Sequence, residues 1–265
     1  MYAALTNLID KLDRLDAKKT NIIKWGCPVP SFGDLSRSKV ASLGLNPSNK
    51  EFVNNNGEEL NGVNRRFPTL NSLKLKKWSD VDASHLIEIS QACRDYFIGN
   101  PYDRWFKKLD EIVSGANASF YSSTNCACHL DLIPFATVQK WTNLTPAQKK
   151  NLINTTGDIL GLLLRDSPVS ILILNGRSVV KYFEEISAIS LDSLLMPEWS
   201  LGRSIDGGVK GIAYFGSTSH VGNIDLGRTI LILGYNHNIQ SSFGVTKNVV
   251  QNIRIWVANK TKEII

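Results

Sequence analysis

The sequence has few of the residues that bind metals or form disulfides. It contains four cysteines and four histidines among 265 residues. So few cysteines do not form a disulfide framework, and we predict reduced thiols in a cytoplasmic protein. The stretch Cys126-Ala-Cys-His129 places two cysteines closer together than zinc ligands usually lie, and no second cysteine pair accompanies them. The sequence therefore predicts no metal site.

Long hydrophobic runs are also missing. The longest apolar stretches, 169–174 and 229–233, have the length of a strand and are much shorter than a membrane span. Charged residues between Asp10 and Arg14 interrupt the N-terminal segment, which therefore lacks the apolar centre of a secretory signal. We expect no contact with a membrane.

Familiar cofactor and nucleophile motifs are missing as well. No Gly-x-Gly-x-x-Gly or Walker sequence follows a predicted strand, which argues against a nucleotide cofactor. No Gly-x-Ser-x-Gly elbow accompanies the histidines, so a serine-hydrolase triad is not indicated. We expect a function that uses no cofactor.

What the chain does contain is the composition of a globular protein with a modest positive charge. Hydrophobic residues make up 43%, charged residues 20%, and the formal net charge is +6. This excess is compatible with an acidic polymer such as nucleic acid as the partner. We predict one monomeric domain over residues 1–265. Within it, residues 1–37 form an N-terminal helix and lead-in loop, and 49–80 form a long functional loop.

Predicted strands and helices alternate along the chain. Apolar runs predict strands at 40–45, 129–133, 169–174, 212–215 and 229–233. Helical periodicity predicts helices at 3–18, 84–98, 146–165 and 178–186 and after Thr246, with a loop at 190–210. Asn100-Pro101 predicts the start of a further helix, whose apolar stripe is Trp105, Phe106, Leu109, Ile112 and Val113. The alternation predicts an α/β fold, a three-layer α/β/α domain with a mainly parallel four-stranded central sheet.

The first predicted strand ends in Gly44-Leu-Asn-Pro-Ser48. The proline ring disfavours the helical conformation of the residue before it, so Asn46 is expected in an extended conformation. A polar amide is thereby held just past the C-terminal end of a strand, where ligands bind in open α/β sheets. A plain turn that contains Asn-Pro is the alternative interpretation.

The same stretch, Gly44 to Ser48, resembles the first motif of the uracil-DNA glycosylase superfamily, which reads Gly-Ile-Asn-Pro-Gly in its mismatch-specific and thymine-DNA branch. Asn236-His-Asn-Ile-Gln-Ser241 is similar in position to the closing motif of that superfamily, and Ile171-Leu-Ile-Leu-Asn-Gly176 resembles the strand and turn between the two. The resemblance extends over residues 38–258. It implies a monofunctional, cofactor-free DNA glycosylase that flips a base out of DNA.

The resemblance implies roles for three polar residues. Asn46 would orient the attacking water, and His237 would stabilise the anionic leaving base. Asp131 would accept a hydrogen bond from a cytosine amino group and repel a uracil carbonyl oxygen. The alternatives are a loop histidine satisfied by the backbone at 237 and a strand carboxylate paired with an arginine at 131.

Further residues are implied to bind the base and the DNA. Phe52 or Phe67 would stack on the flipped base beside Asn236, although both rings are equally explained as core. The expected DNA contacts are Pro47, Ser48, Arg65, Arg66, Lys74, Lys76, Lys77, Ile239, Gln240 and Ser241. Ile239 and Gln240 would enter the gap in the duplex. The basic residues would neutralise phosphates, unless they only form a solvated loop.

The identity of the base and the presence of catalysis stay open at the level of sequence. The base is uracil, a mispaired pyrimidine, or a hypermodified, glucosylated cytosine of phage DNA, which would make the protein part of an antiviral defence. A non-catalytic DNA-binding module on the same fold is a second interpretation. A hydrolase of free nucleosides is a third.

Overall fold

A computed structural model describes residues 2–99, 101–202, 208–240 and 242–262. One sheet contains the strands β1 (Val40–Gly44), β2 (Ala127–Asp131), β3 (Ile171–Asn175), β4 (Asp192–Leu201), β5 (Val209–Val221) and β6 (Ile224–Tyr235). Their spatial order is β2-β1-β3-β6-β5-β4. The strands β2, β1, β3 and β6 are parallel to one another, whereas β5 and β4 pair antiparallel.

Helices occupy most of the connections. They are α1 (Tyr2–Arg14), α2 (Ala17–Thr20), α3 (Ala83–Arg94), α4 (Tyr96–Gly99), α5 (Asp103–Val113), α6 (Pro146–Thr156), α7 (Ile159–Arg165), α8 (Arg177–Ser187) and α9 (Lys247–Lys262). Thr145 and Gln148 form the capping box that starts α6. The single helix predicted over 146–165 is divided into α6 and α7. Within the described ranges, no helix is both long and apolar enough to cross a membrane.

The parallel part of the sheet is buried on both faces. Every residue of β1 and of β2 is buried, which requires cover on both sides because successive side chains point to opposite faces. α5 packs against β1, and α8 packs against β3, β5 and β6. The predicted α/β class is confirmed, and β2 lies two residues before its predicted position.

The prediction of a four-stranded sheet is wrong, because the sheet has six strands and an antiparallel part. Residues 190–210, predicted as a loop, contain β4 and the start of β5. β4 is an edge strand whose residues are mostly exposed, so it lacks the apolar alternation that predicts a strand. It also contains Pro197, which edge strands tolerate, and its register with β5 shifts after Met196.

The segment 49–80 is irregular but packed on the core. It forms short 3₁₀ turns at Asn49–Glu51, Gly62–Asn64 and Trp78–Asp80. The ring nitrogen of Trp78 donates a 2.7 Å hydrogen bond to the carbonyl oxygen of Lys24. Because this bond ties the segment to the lead-in before β1, the segment is anchored beside the C-terminal ends of the parallel strands.

Candidate functional site

A cavity of about 380 Å³, here called the strand-end cavity, lies at the C-terminal ends of the parallel strands. Asn46, Asp131 and Asn175, which end β1, β2 and β3 or follow them directly, all line it. This is the edge of an open α/β sheet at which ligands bind. The volume falls in the range of small-molecule pockets and accommodates one nucleotide base.

Asn46 lines this cavity, and hydrogen bonds hold the nitrogen of its side-chain amide. Its Nδ2 donates to Thr137 Oγ1 at 3.0 Å and to the carbonyl oxygen of Pro47 at 3.1 Å. Thr137 Oγ1 itself donates to the carbonyl oxygen of Gln139 at 2.6 Å, so it accepts from Asn46, and the amide nitrogen must face it. Among the described residues, none donates to Asn46 Oδ1, which is therefore able to accept a hydrogen bond from a molecule in the cavity.

His129 and Asp131 form a buried polar pair on β2. The two residues are two positions apart, so they share one face of the strand. His129 Nε2 lies 3.5 Å from Asp131 Oδ1, and the side chains are 3% and 4% exposed. His129 Nδ1 lies 2.7 Å from Ser42 Oγ. Among the described residues, the side chain that lies within 4 Å of the Asp131 carboxyl as a possible ion-pair partner is this histidine and not an arginine.

Gly44 has no side chain and therefore leaves room for the side chains of His129 and Asp131. It lies opposite Asp131 in the β1–β2 register. A Cβ atom at residue 44 would lie 2.9 Å from His129 Nε2 and closer still to Asp131 Oδ1. Any larger residue at position 44 would displace both side chains. This steric conflict explains why a glycine stands there.

Glu51 is a buried carboxyl group that the sequence analysis missed. It ends the 3₁₀ turn that follows the first motif, is 2% exposed and lines the strand-end cavity. The Tyr96 hydroxyl lies 3.1 and 3.0 Å from its two oxygens, and Arg66 Nη1 lies 3.4 Å from Oε2. Burial raises the pKa of Glu51 to about 7, against the lowering effects of Arg66 and Tyr96.

The loop after β6 closes the cavity on the side of β3. Asn175 Nδ2 donates to Gln240 Oε1 at 2.9 Å. Gln240 Nε2 in turn donates to the carbonyl oxygen of Trp105 on α5 at 3.4 Å. Asn238, from the same loop, lines the cavity. These hydrogen bonds hold Gln240 between β3 and α5, where its side chain joins two walls of the site.

Other residues of this loop point away from the cavity. His237 is 2% exposed, and its Nε2 lies 2.7 Å from the carbonyl oxygen of Trp199. The Asn236 amide bonds the backbone of Ile212 and Lys210, and thereby joins β6 to β5. Neither residue lines the strand-end cavity. Ile239 is also buried, and Ser241 lies outside the described residues.

The aromatic residues of the cavity differ from the predicted ones. Phe52 and Phe67 are each 1% exposed and belong to the core. The rings that line the cavity are those of Phe32, Tyr102, Trp105, Phe106 and Trp141. Trp105 and Phe106 lie on the apolar stripe of α5, which the sequence indicated only as core. These two rings line the cavity because α5 packs beside β1. Helical periodicity in the sequence does not reveal that position.

The predicted DNA contacts are spread over several surfaces. Pro47 and Ser48 line the strand-end cavity. Lys74, Lys76 and Lys77 are exposed on the 49–80 segment, and Lys77 pairs with Asp80 at 3.6 Å.

The two predicted arginines lie at a second cavity of about 820 Å³. Arg65 forms a 3.4 Å ion pair with the exposed Glu88. Arg66 lies over the ring of Tyr102 at 5.5 Å. Tyr102 lines both cavities, so Arg66, Glu51 and Tyr102 form the boundary between them.

The cysteine stretch around β2 forms no cluster of metal ligands. Cys128 is buried, and Cys126 accepts a hydrogen bond from Ser38. Within the part of the chain that the structure describes, no three His, Cys, Asp or Glu side chains come together to hold a metal ion.

Comparison with protein-family models and with curated proteins finds no match to this chain. The strand-end cavity and the residues that surround it are therefore the features of this chain that bear on its function.

Proposed function

We propose that this protein is a monofunctional DNA glycosylase that hydrolyses the N-glycosidic bond of a flipped-out pyrimidine and leaves an abasic site. The observation that carries the proposal is the fixed amide of Asn46, a residue that lines a base-sized cavity together with Asp131 and whose side-chain oxygen accepts from none of the described residues. The reaction requires water, a bound base and stabilisation of charge, and it requires no cofactor. Extrusion of the base is necessary because a stacked base cannot reach a cavity of this kind.

Asn46 would hold the attacking water. Its Nδ2 is fixed by Thr137 and Pro47, so its oxygen is fixed too and costs no reorganisation when water binds. An amide oxygen is a weaker base than a carboxylate. We therefore expect orientation of the water, rather than deprotonation, as its contribution.

Asp131 would read the base. A buried carboxylate accepts a hydrogen bond from the exocyclic amino group of cytosine and repels the carbonyl oxygen that uracil has at the same position. His129 Nε2 lies 3.5 Å from Asp131 Oδ1, so the imidazole is a polar neighbour of that carboxylate. This pair favours a cytosine-like base over uracil.

Exposed side chains outside the strand-end cavity would contact the DNA. Exposed Lys74, Lys76 and Lys77 add to the net charge of +6 and would bind phosphates. Ile239 is buried, but Phe243, four residues further along, is 80% exposed. An exposed aromatic ring next to the closing loop is suited to fill the gap that a flipped nucleotide leaves.

The second cavity favours a more specific alternative, in which the base carries a bulky polar group. It adjoins the strand-end cavity at Tyr102, and the side chains of Asn54, Asn55 and Asn64 line it. Amide groups of this kind bind hydroxyl groups well. A glucosylated cytosine, with the base beside Asp131 and its substituent in the second cavity, would make the protein an antiviral enzyme.

The test is a cleavage assay on DNA that contains uracil, a thymine mismatch, cytosine, hydroxymethylcytosine or glucosylated hydroxymethylcytosine. We expect alkali-labile sites in at least one substrate, and a loss of about 10²–10⁴-fold in Asn46→Ala with DNA binding retained. Asn56→Ala, which changes an exposed asparagine outside both cavities, is the matched control.

Other outcomes separate the competing functions. DNA binding without cleavage of any substrate would favour the non-catalytic module. Cleavage of free nucleosides, with binding indifferent to salt, would favour the nucleoside hydrolase, since DNA binding weakens steeply as salt rises.

A further inference from the structure

We propose that Glu51 is the general acid of this site, which gives its proton to the departing base. Asn46 and Asp131 account for the water and for recognition of the base, but neither supplies a proton to the leaving group. Glu51 is the other carboxyl group that lines the strand-end cavity. This inference rests on the proposed glycosylase function and adds a catalytic residue to it.

The first support is the way in which Glu51 is held. Tyr96, from α4, and Arg66, from the 49–80 segment, both donate to its carboxyl oxygens. Burial and the charge of Glu51 raise the pKa of Tyr96, so the phenol stays protonated and acts as a donor. When Glu51 is itself protonated, its acid hydrogen is the donor that remains for a molecule in the cavity.

The second support is the charge of the surroundings. The ionisable groups on the elements around Glu51 are Arg66, Tyr96, Tyr102, His129, Asp131 and Lys140. Burial, and to a smaller extent the negative charge of Asp131, raises the pKa of Glu51 to about 7 against the lowering effects of Arg66 and Tyr96. A cavity with two carboxyl groups of which one stays protonated can bind a base with one and protonate it with the other.

The proposed step is the hydrolysis of the bond between C1′ of the sugar and the base nitrogen. The bond between C1′ and the base nitrogen breaks, and its electron pair stays with the base. The base takes the proton of Glu51, so it leaves as a neutral molecule. Water bound at Asn46 adds its oxygen to C1′, and the proton that this water releases passes to the Glu51 carboxylate. The acid is thereby restored, and one water is consumed.

The experiment is a pH–rate profile of the wild type, Glu51→Gln and Glu51→Asp, measured under single-turnover conditions on the cleaved substrate. The wild-type rate should fall about tenfold per pH unit above a pH of about 7, as the acid loses its proton. Glu51→Gln should be about 10²–10⁴-fold slower and should lack this fall. Glu51→Asp should keep the fall at a lower rate, because it keeps an acid. Glu111→Gln, an exposed glutamate on α5, is the matched control.

A second measurement uses the leaving group. A 5-fluorinated base forms a more stable anion and depends less on protonation. The loss of rate in Glu51→Gln should therefore be smaller on DNA with the fluorinated base than on DNA with the ordinary base.

The outcomes are distinct. If Glu51→Gln keeps the wild-type pH profile and loses equal activity on both bases, Glu51 is a structural residue, and the inference is overturned while the glycosylase remains. If the wild type cleaves no substrate, the proposed function fails and this inference fails with it. Thermal unfolding of each variant shows whether a loss of activity is only a loss of folding.

Discussion

The loops after β1 and β6 both begin at the C-terminal ends of parallel strands, yet the side chains of Asn46 and His237 in these loops lie in different surroundings. Asn46 lines the strand-end cavity, whereas His237 is buried with its Nε2 2.7 Å from the carbonyl oxygen of Trp199. The difference follows from the neighbouring strands. β1 lies between two parallel strands that end beside it, whereas β6 pairs on one side with an antiparallel strand that continues past its end. The β4–β5 pair thereby provides backbone partners for both His237 and Asn236.

The largest expected effect is a difference in cleavage rate between a variant of the β1 loop and a variant of the β6 loop. Asn46→Ala should lower the cleavage rate by about 10²–10⁴-fold, because the water loses its acceptor. His237→Ala should change the rate of the folded protein only a few-fold and should instead lower the free energy of unfolding by about 1–3 kcal/mol, since it leaves a buried carbonyl group without its partner. Single-turnover kinetics and urea unfolding measure the two quantities. Equal losses of rate in both variants would contradict the comparison.

The next effect concerns the pH dependence of stability, which the carboxyl group of the β1 loop should dominate. Glu51 has a pKa of about 7 in the folded state against an ordinary value of 4.5. Its stabilising contribution is therefore fully present below pH 4.5 and is lost as the pH rises to about 7, by at most about 3 kcal/mol. Urea unfolding at several pH values should show a steeper decline in the wild type than in Glu51→Gln. Parallel declines would show that Glu51 titrates normally.

A smaller effect is expected at the start of the first motif. Gly44→Ala should displace His129 and Asp131 and should lower the free energy of unfolding by about 1–3 kcal/mol. It should also weaken discrimination between cytosine-like bases and uracil, because Asp131 moves. Gly99→Ala is the matched control, because Gly99, like Gly44, has no positive φ and its added methyl group would meet no atom within 4 Å. Unchanged base selectivity in Gly44→Ala would argue against a role of Asp131 in reading the base.

The smallest effect concerns the exposed end of the β6 loop. Phe243 is 80% exposed, so Phe243→Ser should leave the melting temperature unchanged. It should weaken binding to duplex DNA with an abasic site by about tenfold, since one aromatic stacking contact is worth about 1–3 kcal/mol. Fluorescence anisotropy measures this affinity. Undiminished binding would show that the β6 loop contributes no side chain to the duplex gap.

Local sequence predicted what local chemistry determines. The apolar runs of the parallel strands indicated their burial. β4 was missed because its exposed residues and Pro197 give no strand pattern. The orientation of His237 depends on Trp199, and the environment of Glu51 depends on Tyr96 and Arg66. These contacts join distant parts of the chain, which no local pattern encodes.

The hydrogen bonds behind Asn46 also restrict how this site can change during evolution. Thr137 has one hydroxyl proton, and it is donated to the carbonyl oxygen of Gln139. In an Asn46→Asp variant, a carboxylate oxygen would replace the amide nitrogen that now donates to Thr137 Oγ1. Two hydrogen-bond acceptors would then face each other, unless the Thr137 hydroxyl gave up its hydrogen bond to Gln139 and donated to the aspartate. A stronger base at this position is therefore reached only together with a second change near Thr137. In Asn46→Asp we expect a cleavage rate below that of the wild type, and a second substitution at Thr137 that supplies a donor should restore it.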